Sequence, residues 1–303
     1  MKLLLIDGHY YVYRSFFAIP NLSNSRGEPT NAILGFTKTV RRMLKDLQPE
    51  MGAVFWDEGL PQKRVELQPA YKETRKEMPL PMIPQLEFIR NLTPLMGFKN
   101  ISAPNTEADD LMGCYAIAAA RRGHEVILAT NDKDLFQLVT EQVKIYTTAK
   151  ADLASSKDTY ALLGETEVIA KWDVPPTMIG DVLAIAGDSV DNIPGAGIGR
   201  KAAAALVKEH GDLSSLLNNL ESVKSVRTRE KLAAARDQIL QNRRMVELDC
   251  ATELPVPLDD LRINPDYAAL LDVLEKCEIK SVLQEIREEQ ARAARTHQSE
   301  LAL

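Results

Sequence analysis

Four runs of apolar residues, Lys2–Ile6, Gly52–Trp56, Glu125–Thr130 and Val143–Tyr146, are continuous rather than alternating. That pattern is expected of strands buried on both faces of a parallel sheet. Between them, apolar residues recur at helical spacing over about Ala32–Leu47, Ile83–Leu95 and Ala108–Arg122. Strands alternating with helices predict an α/β domain whose parallel sheet is flanked by helices. Beyond Pro175 the pattern changes to helices and short loops. A helix is predicted over Pro175–Ala186, opened by Pro-Pro. A glycine-rich turn follows, Pro194-Gly-Ala-Gly-Ile-Gly199. Further helices are predicted at Arg200–His210, Arg229–Leu248 and Tyr267–Cys277, and a strongly charged one from Ser281 to about Arg295. The last residues, 291–303, are expected to fray and to end a free-standing chain. Tyr11, Tyr13 and Phe17 are expected to pack in the core.

With 45% hydrophobic and 26% charged residues in 303, the chain can bury a sizeable core. Cys114, Cys250 and Cys277 are odd in number and far apart, which argues against a disulfide framework and for a reducing compartment. No run is long and apolar enough to span a membrane. The apolar start is cut short by Asp7 before it reaches signal-peptide length, so a cytoplasmic protein with no membrane partner is expected.

Acidic residues change the picture most. Asp7 and Asp57 follow the first two strands closely, and Asp132 and Asp134 follow the third. In open α/β sheets the ligand crevice lies at the carboxyl ends of the strands. Glu107, Asp109 and Asp110 stand at a helix start, where Thr106 and Asp109 have capping-box spacing, and Glu107 and Asp110, at i and i+3, share a face. Asp188 and Asp191 precede the glycine-rich turn. Singly, each acid is explained by a cap, a loop or a turn. Together, nine acids directed to one edge would repel one another without cations, and all-oxygen ligands select hard ions such as Mg²⁺ or Mn²⁺. With those nine negative charges set aside, the formal net charge of −6 becomes +3. The remaining basic charge is clustered: residues 61–76 hold five Lys/Arg against two Glu, and residues 221–245 hold seven against three acids. Such clusters suit a phosphate-tracking surface.

Other chemistries fit poorly. His9, His124, His210 and His297 lack zinc-ligand spacing. The chain has no phosphate-loop motif, no nucleophile elbow, and no glycine-rich fingerprint directly after a strand.

The ordered motifs LLLIDG, VFWD, TEADD, TNDKD, GDSVDNIPG and GIGRKAA closely resemble the 5′→3′ exonuclease domain of bacterial DNA polymerase I. More broadly they resemble the 5′ nuclease (flap endonuclease) superfamily. The resemblance runs from Met1 to about residue 285 and covers every acid of the family set. It implies a PIN-like (Rossmann-like) catalytic domain over residues 1–175, a helical arch at about 60–82, and a helical helix–hairpin–helix region over 176–290. It assigns Asp7, Asp57, Glu107 and Asp109 to one metal and Asp132, Asp134, Asp188 and Asp191 to a second, with Asp110 between them. In the arch, Lys72 and Arg75 match catalytic basic residues facing the scissile phosphate, and Arg64 matches a DNA-binding one. Lys63 and Lys76 read as solvated. Tyr10 and Arg14 match positions near the substrate. In the turn, Gly195, Gly197, Gly199 and Lys201 match the DNA-backbone grip, with a monovalent cation such as K⁺ implied there, although this turn is one residue shorter than the family pattern.

The resemblance further implies two-metal hydrolysis of DNA with 5′ ends, flaps or nicks, by a monomer acting in replication and repair. Two other readings stay open on the residues alone. One is a DNA-binding module without catalysis, and the other a ribonuclease of PIN-like fold, which lacks a counterpart of Asp188 to Lys201.

Overall fold

Leu3, Leu4, Leu5 and Ile6 are fully buried, so the first apolar run is a strand covered on both faces. All four runs are strands. The computed structural model describes residues 1–148, 160–250 and 253–300. In chain order the elements are β1 (Lys2–Asp7), α1 (Gly8–Ala18), α2 (Asn31–Leu47), β2 (Met51–Phe55), α3 (Gln62–Leu67), α4 (Ile83–Leu95), β3 (Lys99–Ile101), α5 (Ala108–Arg121), β4 (Glu125–Ala129) and β5 (Val143–Thr148). They continue with β6 (Tyr160–Leu163), α6 (Glu165–Trp172), α7 (Ile179–Ala186), α8 (Arg200–His210), α9 (Leu213–Asn218), α10 (Val226–Ala234), α11 (Arg236–Met245), α12 (Tyr267–Lys276) and α13 (Lys280–Glu300).

Contacts divide the chain into two compact units. The first comprises Met1–Trp56, Met78–Ile101 and Val256–Leu303. Its strands run parallel in the order β3-β2-β1, with Leu3 opposite Met51 and Asp7 opposite Phe55. Helix α2 buries Ile33, Phe36, Val40, Met43 and Leu47, a three-and-four spacing that places one apolar stripe on the core. Each such side chain contributes about 1.5–3 kcal/mol by leaving water. Gly8 opens α1 because a Cβ there would meet the Trp56 ring at 2.6 Å and the Phe55 carbonyl at 2.7 Å. Asp7, the last residue of β1, caps the same helix by accepting the Tyr10 N–H at 2.9 Å.

The second unit comprises Asp57–Glu77 and Ser102–Pro255. Strands β4 and β5 pair in parallel, and β6 is antiparallel to β5. Helix α5 packs on β4, and α7 packs against α8 and α11. The α/β class with mostly parallel strands flanked by helices thus follows the sequence reading.

Several expectations are corrected. The predicted helix Arg229–Leu248 is two, α10 and α11, separated at Ala235. The Pro-Pro start is a 3₁₀ turn, Pro176–Met178, before α7. The arch segment is helical only at α3 and at the 3₁₀ turn Leu80–Met82, with turns between. Phe17 is 66% exposed and Tyr13 half-buried, because only the Tyr11 side of α1 faces the core. The charged tail stays helical to Glu300, and the final residues 301–303 of the expected fraying end lie outside the described residues. Among the described residues no helix is long and apolar enough to cross a membrane.

Candidate active site

Eight of the nine sequence-selected acids lie in the second unit; Asp7, with Tyr10 and Arg14 half-buried on α1, belongs to the first. Asp57 follows β2 and the buried Trp56, and its Oδ1 accepts the Ala108 N–H at 2.8 Å. Helix α5 is therefore capped by Asp57 from a distant segment. The capping box of Thr106 and Asp109 does not form, and the Thr106 hydroxyl bonds the Pro104 carbonyl instead. Residues 57–58 and 105–108 are stitched further by Asn105 N–H to the Glu58 carbonyl at 2.7 Å. At the start of α5, Glu107 and Asp110 are 2% exposed, whereas Asp109 is half-buried.

Glu107 and Asp110 share one cation, Arg64 of α3. Its Nη1 donates to Glu107 and, at 2.8 Å, to Asp110 Oδ2. Its Nη2 donates to Asp110 Oδ1 at 2.8 Å and to the Glu247 carbonyl at 3.2 Å, and its Nε to the Met245 carbonyl at 3.0 Å. All five N–H donors of a guanidinium are thereby used. Burial works against the charge of Arg64, but Asp110 and Glu107 outweigh it and hold its pKa above the ordinary value. Arg64, expected at the DNA, is 6% exposed here and bound inward, with every donor used within the chain. Asp110 Oδ1 also accepts the Asp249 N–H at 2.9 Å, so three hydrogen bonds from the chain hold this carboxylate.

The segment after α3 lies on the Asp188–Asn192 loop. The Lys72 N–H donates to the Asp191 carbonyl at 3.1 Å, Asn192 Nδ2 to the Ala70 carbonyl at 2.9 Å, and the Gln68 amide to the Asn192 carbonyl. This holds Lys72 at φ +58. The Lys72 ammonium pairs with Glu107, and the Arg75 guanidinium with Asp191 at 2.7 Å. Tyr71, 5% exposed, donates its hydroxyl to Glu107 at 3.2 Å, and burial followed by the Glu107 charge pushes its pKa up. Lys133 pairs with Asp188 at 2.6 Å.

Asp132 and Asp134, beyond the carboxyl end of β4, differ from the others. Asp132 Oδ1 accepts the Asp134 N–H at 2.8 Å, and Asp134 Oδ1 is a buried oxygen with no hydrogen-bond partner. Burial, and then the charge of Asp132, raise the Asp134 pKa well above its ordinary value. Among the described residues no three acids stand together as a ready-made cage. The donors nonetheless suit a hard cation: all are oxygens, one is buried and orphaned, and three further acids, Asp132, Asp188 and Asp191, act on it against the single cation Arg64. Glu107, Asp110, Asp188 and Asp191 instead meet cations supplied by the chain.

The glycine-rich turn is fixed from below. A Cβ on Gly195 would stand 2.0 Å from the Ala186 carbonyl, so this glycine serves close packing against the end of α7. The Ala196 N–H donates to the Ile185 carbonyl at 2.9 Å, and the fully buried Asn242 of α11 donates to the carbonyls of Ala184 at 2.9 Å and Pro194 at 2.7 Å. Gly197, at φ +67, and Gly199 are exposed, as is Lys201 in the first turn of α8. Sequence reading missed Tyr71, Lys133, Asn192 and Asn242. Lys133 and Asn192 lay in quoted motifs, TNDKD and GDSVDNIPG; Tyr71 and Asn242 gain meaning from partners distant in the chain.

Residues 2–173 match the model of the 5′-3′ exonuclease N-terminal resolvase-like domain, and residues 174–269 that of the 5′-3′ exonuclease C-terminal SAM fold. The chain is 34% identical over 286 residues to a 5′-3′ exonuclease of Aquifex aeolicus, covering 94% of both chains. It is 36% identical over 287 residues to the thermostable DNA polymerase I of Thermus thermophilus, of which it spans 33%. Its fold is similar to that of the bacteriophage T5 flap endonuclease in a pseudo-enzyme-product complex with DNA and metal ions. There the TM-score is 0.68 at 19% identity, over 97% of this chain and 100% of the other. On the matches to both family models and the identity held along nearly its whole length, the chain belongs to the 5′-3′ exonuclease family and is a 5′ nuclease.

Proposed function

We propose that this nuclease hydrolyses phosphodiester bonds of DNA at 5′ ends, flaps and nicks, with divalent metal ions, Mg²⁺ or Mn²⁺, held by its acids. The observation that carries this reading is the Asp132–Asp134 pair, like-charged and half-buried, with a buried oxygen of Asp134 left without a partner. Asp132, Asp134, Asp188 and Asp191 would hold one ion, and Asp7, Asp57, Glu107 and Asp109 another. Asp110 is better explained as the anchor of Arg64 than as a ligand. Bound there, the ions supply a lowered water pKa and charge neutralisation at the leaving oxygen. The chain's own part is positional. Lys72 and Arg75, now on Glu107 and Asp191, are the cations within reach of an incoming phosphate. Arg64, Tyr71 and the Asp57 cap hold the start of α5 in place.

Residues 1–175 would form the catalytic part and 176–290 the part that grips duplex DNA, through Gly197, Gly199 and Lys201. A K⁺ ion at that turn would compete with the Lys231 ammonium, which hydrogen-bonds the Gly197 carbonyl. The three free thiols support a reducing, cytoplasmic setting, and a monomer is proposed.

The test is cleavage of 5′-labelled flap, nicked and single-stranded DNA, with matched RNA, in Mg²⁺ and then in EDTA. Cleavage of the DNA forms that stops with chelation is expected. Preference for RNA, or binding with no cleavage of any substrate, would contradict the proposal.

A further inference from the structure

Three basic side chains in the helical part of the second unit are paired with acids. Lys224 pairs with Glu209 at 3.1 Å, Arg229 with Glu221 at 2.5 Å and Arg243 with Asp181 at 2.9 Å. Lys231, on α10, is different. Its Nζ donates to the carbonyl of Gly197, and no carboxylate pairs with it among the described residues. The amine stands 3.4 Å from where a Cβ on Gly197 would be, in contact with the glycine that carries the left-handed bend of the turn.

A carboxylate partner would cancel the charge of a lysine; a carbonyl holds the ammonium in place and cancels none of it. An ammonium has three donors, of which Gly197 takes one. Lys231 is half-buried, and its hydrogen bond to the Gly197 carbonyl lies at the surface. The turn beneath it is braced by Asn242 and by the Gly195–Ala186 contact, which makes the position of the charge a fixed feature of the fold. A charge fixed before binding loses little freedom when a ligand arrives.

We propose that Lys231 is a phosphate-binding residue of the glycine-rich turn. Seated on the Gly197 carbonyl, its remaining N–H groups meet a non-bridging oxygen of the DNA backbone, beside the contact made by Lys201. This rests on the reading of the chain as a DNA nuclease. No motif at the turn contains the residue, because it arrives from a later helix.

The alternative role is a staple that only shapes the turn, and Lys231→Gln separates the two. Glutamine keeps a donor for the Gly197 carbonyl and removes the charge. Binding of labelled flap DNA is measured in EDTA by anisotropy over a range of salt concentrations, together with thermal midpoints. For Lys231→Gln, affinity should fall roughly three- to tenfold and the salt slope should drop by about one unit. Its midpoint should be unchanged, and Lys231→Arg should restore the slope. A Lys231→Gln protein with wild-type affinity and slope overturns the proposal, as does a loss of midpoint that accounts for the weaker binding. Wild-type protein showing no salt-dependent DNA binding would overturn the underlying reading as well, and so tells the two failures apart.

Discussion

The Lys72 ammonium is ion-paired with the Glu107 carboxylate, both side chains nearly shut from solvent at 7% and 3% exposure. Burial opposes the charge on Lys72, but Glu107 and Asp191 outweigh it and raise its pKa, so the lysine is a standing cation. Its backbone adopts the left-handed region, uncommon for a residue with a side chain, because its N–H is bonded to the Asp191 carbonyl. Lys72 is thus a placed charge, unlike the exposed Lys76.

Placement makes Lys72 separable from its basic neighbours. Lys72→Ala leaves Glu107 with Arg64 and Tyr71, so the fold should persist. If Lys72 acts on the transition state, single-turnover cleavage at saturating flap DNA should fall on the order of 10²-fold with a much smaller change in KM. Lys76→Ala measured in parallel should be near normal. Equal, small effects at both positions would reduce the segment to a solvated basic face.

Arg64 should behave in the opposite way. Replacing it with leucine leaves Glu107 and Asp110 buried beside two unsatisfied carbonyls, at a cost of about 3–5 kcal/mol. Urea denaturation should show that loss, and Arg64→Lys should recover little of it, since one ammonium cannot supply five donors. A stable Arg64→Leu protein with weakened DNA binding would restore the residue to the DNA interface.

Asp134 should oppose the metal-free fold. Its pKa in the folded protein lies above that of the unfolded chain, about 3.9, so the stabilisation it gives is present at low pH and lost as pH rises through the folded value. At pH 8 in EDTA, Asp134→Asn should therefore melt above wild type, by roughly 2–4 °C per kcal/mol of relieved repulsion. The difference should vanish below about pH 3, where the wild-type group is protonated in both the folded and the unfolded chain. Added Mg²⁺ should raise the wild-type midpoint more than that of the variant.

The sheet was legible because β1, β2, β4 and β5 are continuous apolar runs. The strand Lys99–Ile101 was not, since three residues with a polar centre carry no period. The break at Ala235 was hidden by an alanine-rich run that favours helix on both sides. At the site, the acids could be chosen from their positions after strands and at helix starts. Which of them face a cation of the chain could not, because Arg64 reaches Glu107 and Asp110 across more than forty residues. Sequence reading counted Arg64 as available charge, whereas the fold uses it to neutralise two of the nine acids.

Asp57 tests the central claim most directly, because its fold role and its proposed metal role separate in one substitution. In Asp57→Asn, Oδ1 can still accept the Ala108 N–H that starts α5, so the structure is kept while a ligand charge is removed. The measurement is single-turnover cleavage of a 5′-labelled flap by wild type and Asp57→Asn, each in Mg²⁺ and in EDTA, with DNA affinity measured alongside. The account predicts wild-type cleavage abolished by EDTA, and an Asp57→Asn protein that binds DNA within a few-fold of wild type yet barely cuts it. Wild-type turnover that survives EDTA, or an Asp57→Asn enzyme of normal rate, would contradict it.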